Sequence, residues 1–193
     1  GLVMDMTDIF EEYASDKYKE FLEADGGATL SYSLQDGRMM GLPITGAQPD
    51  EVAVFHIRKD WLEQVDMEVP TTIDEMIAVA EAFVENKLGG EDTYGLISCK
   101  APFSLDNALG GFLNGYGAYP KAWIQDDSGK IIYGATADEV KEPLLKLQEM
   151  YKNGLINQDF SVTDVSMTKE DVVAGKVGIV YGTFFLASGV EDN

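Results

Sequence analysis

From Val52 onward, short apolar runs rich in β-branched residues alternate with stretches whose apolar residues recur at helical spacing. Each change of period is marked by Gly, Pro or an N-capping residue. A chain written this way lays strands side by side and crosses between them with helices, an α/β architecture with a mostly parallel or mixed sheet. The sharpest signal is Pro70-Thr71-Thr72-Ile73-Asp74-Glu75. Thr72 and Glu75 have the spacing of a capping box, which opens a helix with Ile73, Met76, Ile77, Ala80 and Phe83 along one face.

The rest of the order follows from the same signals. Ile9 with Phe10, Tyr13 with Ala14, then Tyr18, Phe21 and Leu22 predict one helix from Thr7 to about Ala24, capped by Thr7 and stopped by Asp25-Gly26-Gly27. An extended piece at 29–34, the turn Gln35-Asp36-Gly37-Arg38 and a strand over 39–43 read as an Asp-Gly hairpin. After a loop at 45–49, Val52 to Ile57 is a mostly buried strand leading into a brief helix with Trp61, Leu62 and Val65. Beyond the capped helix come a strand at 94–98, an apolar helix over 103–114 ending at Gly115, and a second hairpin, Trp123-Ile124-Gln125 with Ile131-Ile132-Tyr133. Thr136 with Glu139 opens a long helix to Asn153-Gly154, where Pro143 predicts a kink or a later start. A helix at 168–174 and a strand at 177–181 follow, and a crossover is placed near 44–50.

Charge narrows the function. The 193 residues carry 34 Asp and Glu against 14 Lys and Arg, a net −20. Such a surface repels phosphate backbones and anionic lipid, which excludes a nucleic-acid partner and a membrane hold through the chain's own charge. No stretch approaches the roughly 20 apolar residues of a membrane span. With one histidine and one cysteine, His56 and Cys99, neither a Cys-rich zinc site nor an internal disulfide is possible. His56 lies inside the apolar run Val54-Phe55-His56-Ile57 and reads as a strand histidine with a local partner. There is no G-x-S-x-G elbow or phosphate loop, and Gly110-Gly111 and Gly115-Tyr116-Gly117 do not match a dinucleotide fingerprint. The acidic loops at 89–92 and 126–129 lack calcium-loop spacing and read as turns. Residue type leaves a two-carboxylate glycosidase open. What stands out is the loop aromatics, Phe103, Tyr116, Tyr119, Trp123, Phe184 and Phe185, whose flat rings suit the apolar face of a sugar.

Six segments carry a resemblance. They are Asp36-Gly37-Arg38-Met39-Met40-Gly41-Leu42-Pro43, Arg58-Lys59-Asp60-Trp61-Leu62, Pro70 to Glu75, Asp92-Thr93-Tyr94-Gly95-Leu96, Tyr151-Lys152-Asn153-Gly154-Leu155-Ile156 and Ala174-Gly175-Lys176-Val177-Gly178-Ile179. In this order they resemble the family 1 extracellular solute-binding proteins of ABC transporters, of which maltose-binding protein is a distant member. The resemblance implies an α/β, type II periplasmic-binding-protein-like fold of two hinged lobes closing on a ligand. By it, residues 1–45 are part of the first lobe and 46–193 the second lobe, cut before its C-terminal return. It also implies the solute-binding component of an ABC importer, with a sugar or oligosaccharide as ligand, a permease as partner, no cofactor and no catalysis. An extracellular place follows, as a cell-surface lipoprotein or in the periplasm, with any lipid anchor outside this chain.

Ala101-Pro102-Phe103 is similar to the segment where a sugar-stacking ring opens a second-lobe helix, and Tyr181-Gly182-Thr183-Phe184 to the turn carrying the other ring. The candidate ligand-binding set is therefore Phe103, Phe184, Tyr116 and Phe185. Asn86 to Glu91 lacks the Asp/Asn run of the calcium loop found in some relatives, which implies no metal. A carbohydrate hydrolase and a ligand-sensing receptor are the rival readings.

Overall fold

The computed structural model describes residues 3–44, 52–103 and 108–183. By its internal contacts the chain divides into two units, residues 1–48 and 49–193.

In the first unit, Asp5 Oδ1 accepts from the Thr7 N–H at 3.0 Å and the Thr7 hydroxyl at 2.7 Å. This holds the start of α1 (Thr7–Tyr13), whose N-cap position is Met6 rather than Thr7. The single helix predicted to Ala24 is two. Ala14 turns extended (ψ 132°), and Ser15 caps α2 (Asp16–Glu23) by accepting from the Tyr18 N–H. A serine hydroxyl that can serve a backbone N–H competes with helix continuation, and here it wins. Asp25-Gly26-Gly27 does stop the helix, with both glycines at positive φ. The Asp25 carboxylate then accepts from the Thr29 N–H at 2.9 Å, so the stretch expected to be extended is instead α3 (Ala28–Ser31).

The hairpin pairs β1 (Leu34–Gln35) with β2 (Arg38–Met39), which ends well before Pro43. Asp36 and Gly37 sit at φ 52° and 76°, the left-handed pair a two-residue hairpin turn demands. Phe10, Leu22 and Met39 form this unit's own core.

The second unit is built on a three-stranded sheet in the order β3 (Val54–Ile57), β7 (Val177–Gly182), β4 (Tyr94–Leu96). The central β7 runs antiparallel to β3 and parallel to β4, a mixed sheet as the alternation of elements predicts. β7 is buried along nearly its whole length, as a strand covered on both faces must be. Gly178 is forced there, because a Cβ would overlap the Phe83 ring. Trp61 of α4 (Lys59–Gln64) meets Phe83 of α5 (Ile73–Glu85) edge to face at 5.3 Å. The capping box at Thr72 and Glu75 is fully formed.

After β4, Leu109 donates its N–H to the Pro102 carbonyl at 2.7 Å, and only Gly110–Asn114 forms a helix (α6). The helix expected over 103–114 is thus one short turn among its described residues. β5 (Trp123–Gln125) pairs with β6 (Ile131–Tyr133) as the expected hairpin. Two 3-10 turns (Gly134–Thr136 and Asp138–Val140) then precede α7 (Lys141–Lys152), the later start that Pro143 predicts. At the third helical position Pro143 lacks an N–H that would have had no intrahelical acceptor, so it costs no hydrogen bond. α8 (Val165–Val173) leads through Gly175 into β7. No helix among the described residues is long and apolar enough to cross a membrane.

Candidate functional site

Because β4 and β7 are parallel, with Tyr94 opposite Val177 and Leu96 opposite Ile179, their carboxyl ends open at the same edge of the sheet. Ligands in open α/β sheets sit outside such ends. The segment after β4 carries Phe103, and β7 carries Tyr181 near its own end. The two residues share a cavity of about 380 Å³, together with Gly110 and Asn114 of α6 and the segment from Tyr119 to Ala122.

Tyr181 is held in place from two sides. Its ring lies against Gly111, where any Cβ would overlap it, and against Phe55 of β3 at a centroid separation of 5.0 Å. Burial pushes the Tyr181 hydroxyl above its ordinary pKa, so it is a neutral donor and acceptor at physiological pH. Phe103 is half-buried and packs partly against the main core, with part of its ring left to the cavity. Rings that give one face to the core and another to a cavity can take the apolar side of a pyranose, while tyrosine hydroxyls and Asn114 supply polar contacts.

Tyr116 is not brought to this cavity. It lines a second one of about 510 Å³, with Phe55 and Ile57 of β3 and the start of α5 from Pro70 to Asp74. Its hydroxyl is buried and has no hydrogen-bond partner among the described residues. Burial first, then the negative charges of Asp74 and Glu142, pushes its pKa up. Phe184 and Phe185 lie outside the described residues; the described part of β7 and its exit ends at Thr183. Tyr181 and Lys121 are cavity residues that the sequence reading did not select. Tyr181 hides inside a strand that reads as core, and a lone lysine carries no spacing signal.

His56 behaves as a strand histidine, its Nε2 donating to the Gly182 carbonyl at 3.2 Å. Asp126 accepts from Ser128 and from the Lys130 N–H, closing the β5–β6 turn, and Glu91 pairs with Lys87. The described residues contain no cluster of three or more His, Cys, Asp or Glu side chains able to hold a metal.

The sequence model of the family described as "Bacterial extracellular solute-binding protein" matches residues 1–192. The chain belongs to that family. It is 32% identical over 186 residues to Lipoprotein LipO of Bacillus subtilis, covering 91% of this chain and 35% of LipO. To the polygalacturonan/rhamnogalacturonan-binding protein YtcQ of the same organism it is 31% identical over 163 residues, covering 82% of this chain and 31% of YtcQ. The chain thus spans about a third of the length of these curated relatives.

Among solved structures it is similar to the S. pneumoniae ABC-transporter substrate-binding protein FusA in complex with fructo-nystose. The TM-score is 0.71 at 20% identity, covering 94% of this chain and 39% of FusA. At that identity the likeness shows the fold: an α/β, type II periplasmic-binding-protein-like architecture, of which this chain is a part.

Proposed function

We propose that this chain is part of the solute-binding component of an ABC importer, which captures a carbohydrate outside the cell and passes it on unchanged. In this reading residues 1–45 contribute to the first lobe and 46–193 form most of the second, and closure of the lobes on the sugar selects the loaded state for the permease. The protein works as a cell-surface lipoprotein or in the periplasm. Relatives support the class: YtcQ is named for binding polygalacturonan and rhamnogalacturonan, and FusA is seen with a fructooligosaccharide.

The observation that carries the proposal is the cavity at the carboxyl edge of β4 and β7, walled by Phe103, Tyr119 and Tyr181. A glycosidase needs two converging carboxylates, and the described residues lining this cavity include none. Phe103 stacks on the sugar. Phe184 and Phe185, which follow Thr183 in the sequence, are the other proposed ligand-binding residues, Phe184 as the second stacking ring. Tyr116 acts as a support for α6 or as a more distant contact.

The test is a thermal-shift screen of the full-length protein against an oligosaccharide panel, with chromatography of each sugar afterwards. At 100 times the dissociation constant a bound ligand stabilises the fold by about 2.7 kcal/mol, an easily read shift. A shift with the sugar recovered intact supports capture, whereas shortened products would overturn it in favour of hydrolysis.

A further inference from the structure

We infer that the cavity walled by Phe103 and Tyr181 selects an acidic sugar, and that Lys121 is the residue that reads its carboxylate. This rests on the sugar-binding reading above and names its ligand class. The chain carries 34 carboxylates against 14 cations, yet the described lining of this cavity holds no carboxylate, and Lys121 is its one charged side chain.

Eight of the 13 other cations are ion-paired, and Lys17, Lys130, Lys146, Lys152 and Lys169 show no ion pair among the described residues but do not line this cavity. Lys19, Arg38, Arg58, Lys59, Lys87, Lys100, Lys141 and Lys176 each pair with an Asp or Glu. Lys121 forms no ion pair among the described residues, and its side chain is exposed.

An exposed lysine without an ion pair, among the residues that line a ring-bearing cavity, has a specific use. The rings take the apolar face of a pyranose, which a neutral sugar offers equally well. Only a uronate adds a carboxylate for the ammonium, in a charge-assisted hydrogen bond stronger than one to a hydroxyl. The surrounding field sharpens the choice. A net charge of −20 repels an acidic oligosaccharide from most of the surface, so a local cation beside the rings both attracts it and fixes where it docks. Lys121 is therefore a specificity residue for the ligand's charge rather than for its ring.

The experiment is titration calorimetry of the full-length protein with oligomers of galacturonate, glucuronate and mannuronate and with their neutral counterparts. A uronate should bind more tightly than its neutral counterpart, and added salt should weaken the uronate selectively. Lys121→Gln should weaken the uronate by about tenfold, the lower end for a hydrogen bond to a charged group, and a neutral oligomer by clearly less. Lys121→Arg should restore most of the loss, and neither variant should change the melting temperature. Equal affinity for a uronate and its neutral counterpart, or equal losses for both in Lys121→Gln, would overturn the role of Lys121 and leave sugar capture standing. Binding of no oligosaccharide at all would overturn both.

Discussion

Two phenylalanines of the second unit separate ligand contact from packing. Phe112 has no exposed surface and lies in the main core, while Phe103 is half-buried beside the cavity. Phe112→Ala should cost about 3–5 kcal/mol in urea unfolding, as complete loss of a buried ring does. Phe103→Ala should cost clearly less and should instead weaken sugar binding by about tenfold, the roughly 1.5 kcal/mol of apolar area that a ring buries against a ligand. If the two variants destabilise equally, Phe103 is core and its ligand role fails. A third residue reports on acid. The Thr7 hydroxyl and N–H, then Arg38, hold the Asp5 carboxyl at about 2 against an ordinary 3.8. A carboxyl lowered by folding stabilises the fold above its unfolded pKa and loses that contribution as pH falls through the folded one. The Asp5 contribution should therefore be complete above about pH 4 and fade toward pH 2. A carbon-detected NMR titration should place the Asp5 midpoint near 2, and Thr7→Ala should raise it toward 3.8; an unshifted midpoint in the parent would refute the Asp5–Thr7–Arg38 cluster.

Elements were legible where their determinants are local. Thr72 and Glu75 are three residues apart, and the box they form is the one predicted. Thr72→Ala removes the acceptor for the Glu75 N–H and should cost about 1 kcal/mol by chemical denaturation, with the fold intact. A loss below about 0.3 kcal/mol would mean that packing of Met76, Val79 and Phe83 alone sets the start of α5. Asp36-Gly37 was equally readable, since a two-residue turn needs only its own two dihedrals. Misreadings arose where one side chain decides between two locally acceptable structures. Apolar spacing runs unbroken through Ala14 and Ser15, yet the Ser15 hydroxyl splits the helix. The β-propensity around Thr29 was overruled by Asp25, four residues earlier. The Phe103 cavity shows the same limit on a longer range. A segment motif pointed to Phe103, but Tyr181 and Lys121 join it only through the β4–β7 pairing and the return of the chain from α6, which no spacing encodes.

At the scale of the molecule, each unit carries its own core, and the two are very unequal. The described part of residues 1–48 centres on three buried apolar side chains, Phe10, Leu22 and Met39. Residues 49–193 hold a large cluster around Trp61, Phe83, Leu96, Phe112 and Ile179 on the sheet, and a second around Ile97, Val177 and Val180. Burial must outweigh a conformational entropy of about 1–2 kcal/mol per residue for the backbone alone, and a unit of some 50 residues with a small core falls short of that. Residues 49–193 expressed alone should therefore unfold cooperatively in urea, while residues 1–48 alone should show no cooperative transition. The isolated larger unit retains every described residue that lines the Phe103 cavity, so under the proposed function it should bind the same sugar as the full-length protein, and the closure proposed above predicts a weaker affinity. Undiminished affinity in that fragment would show that closure contributes nothing to capture, and a gradual, non-cooperative melt would show that its core needs the rest of the chain.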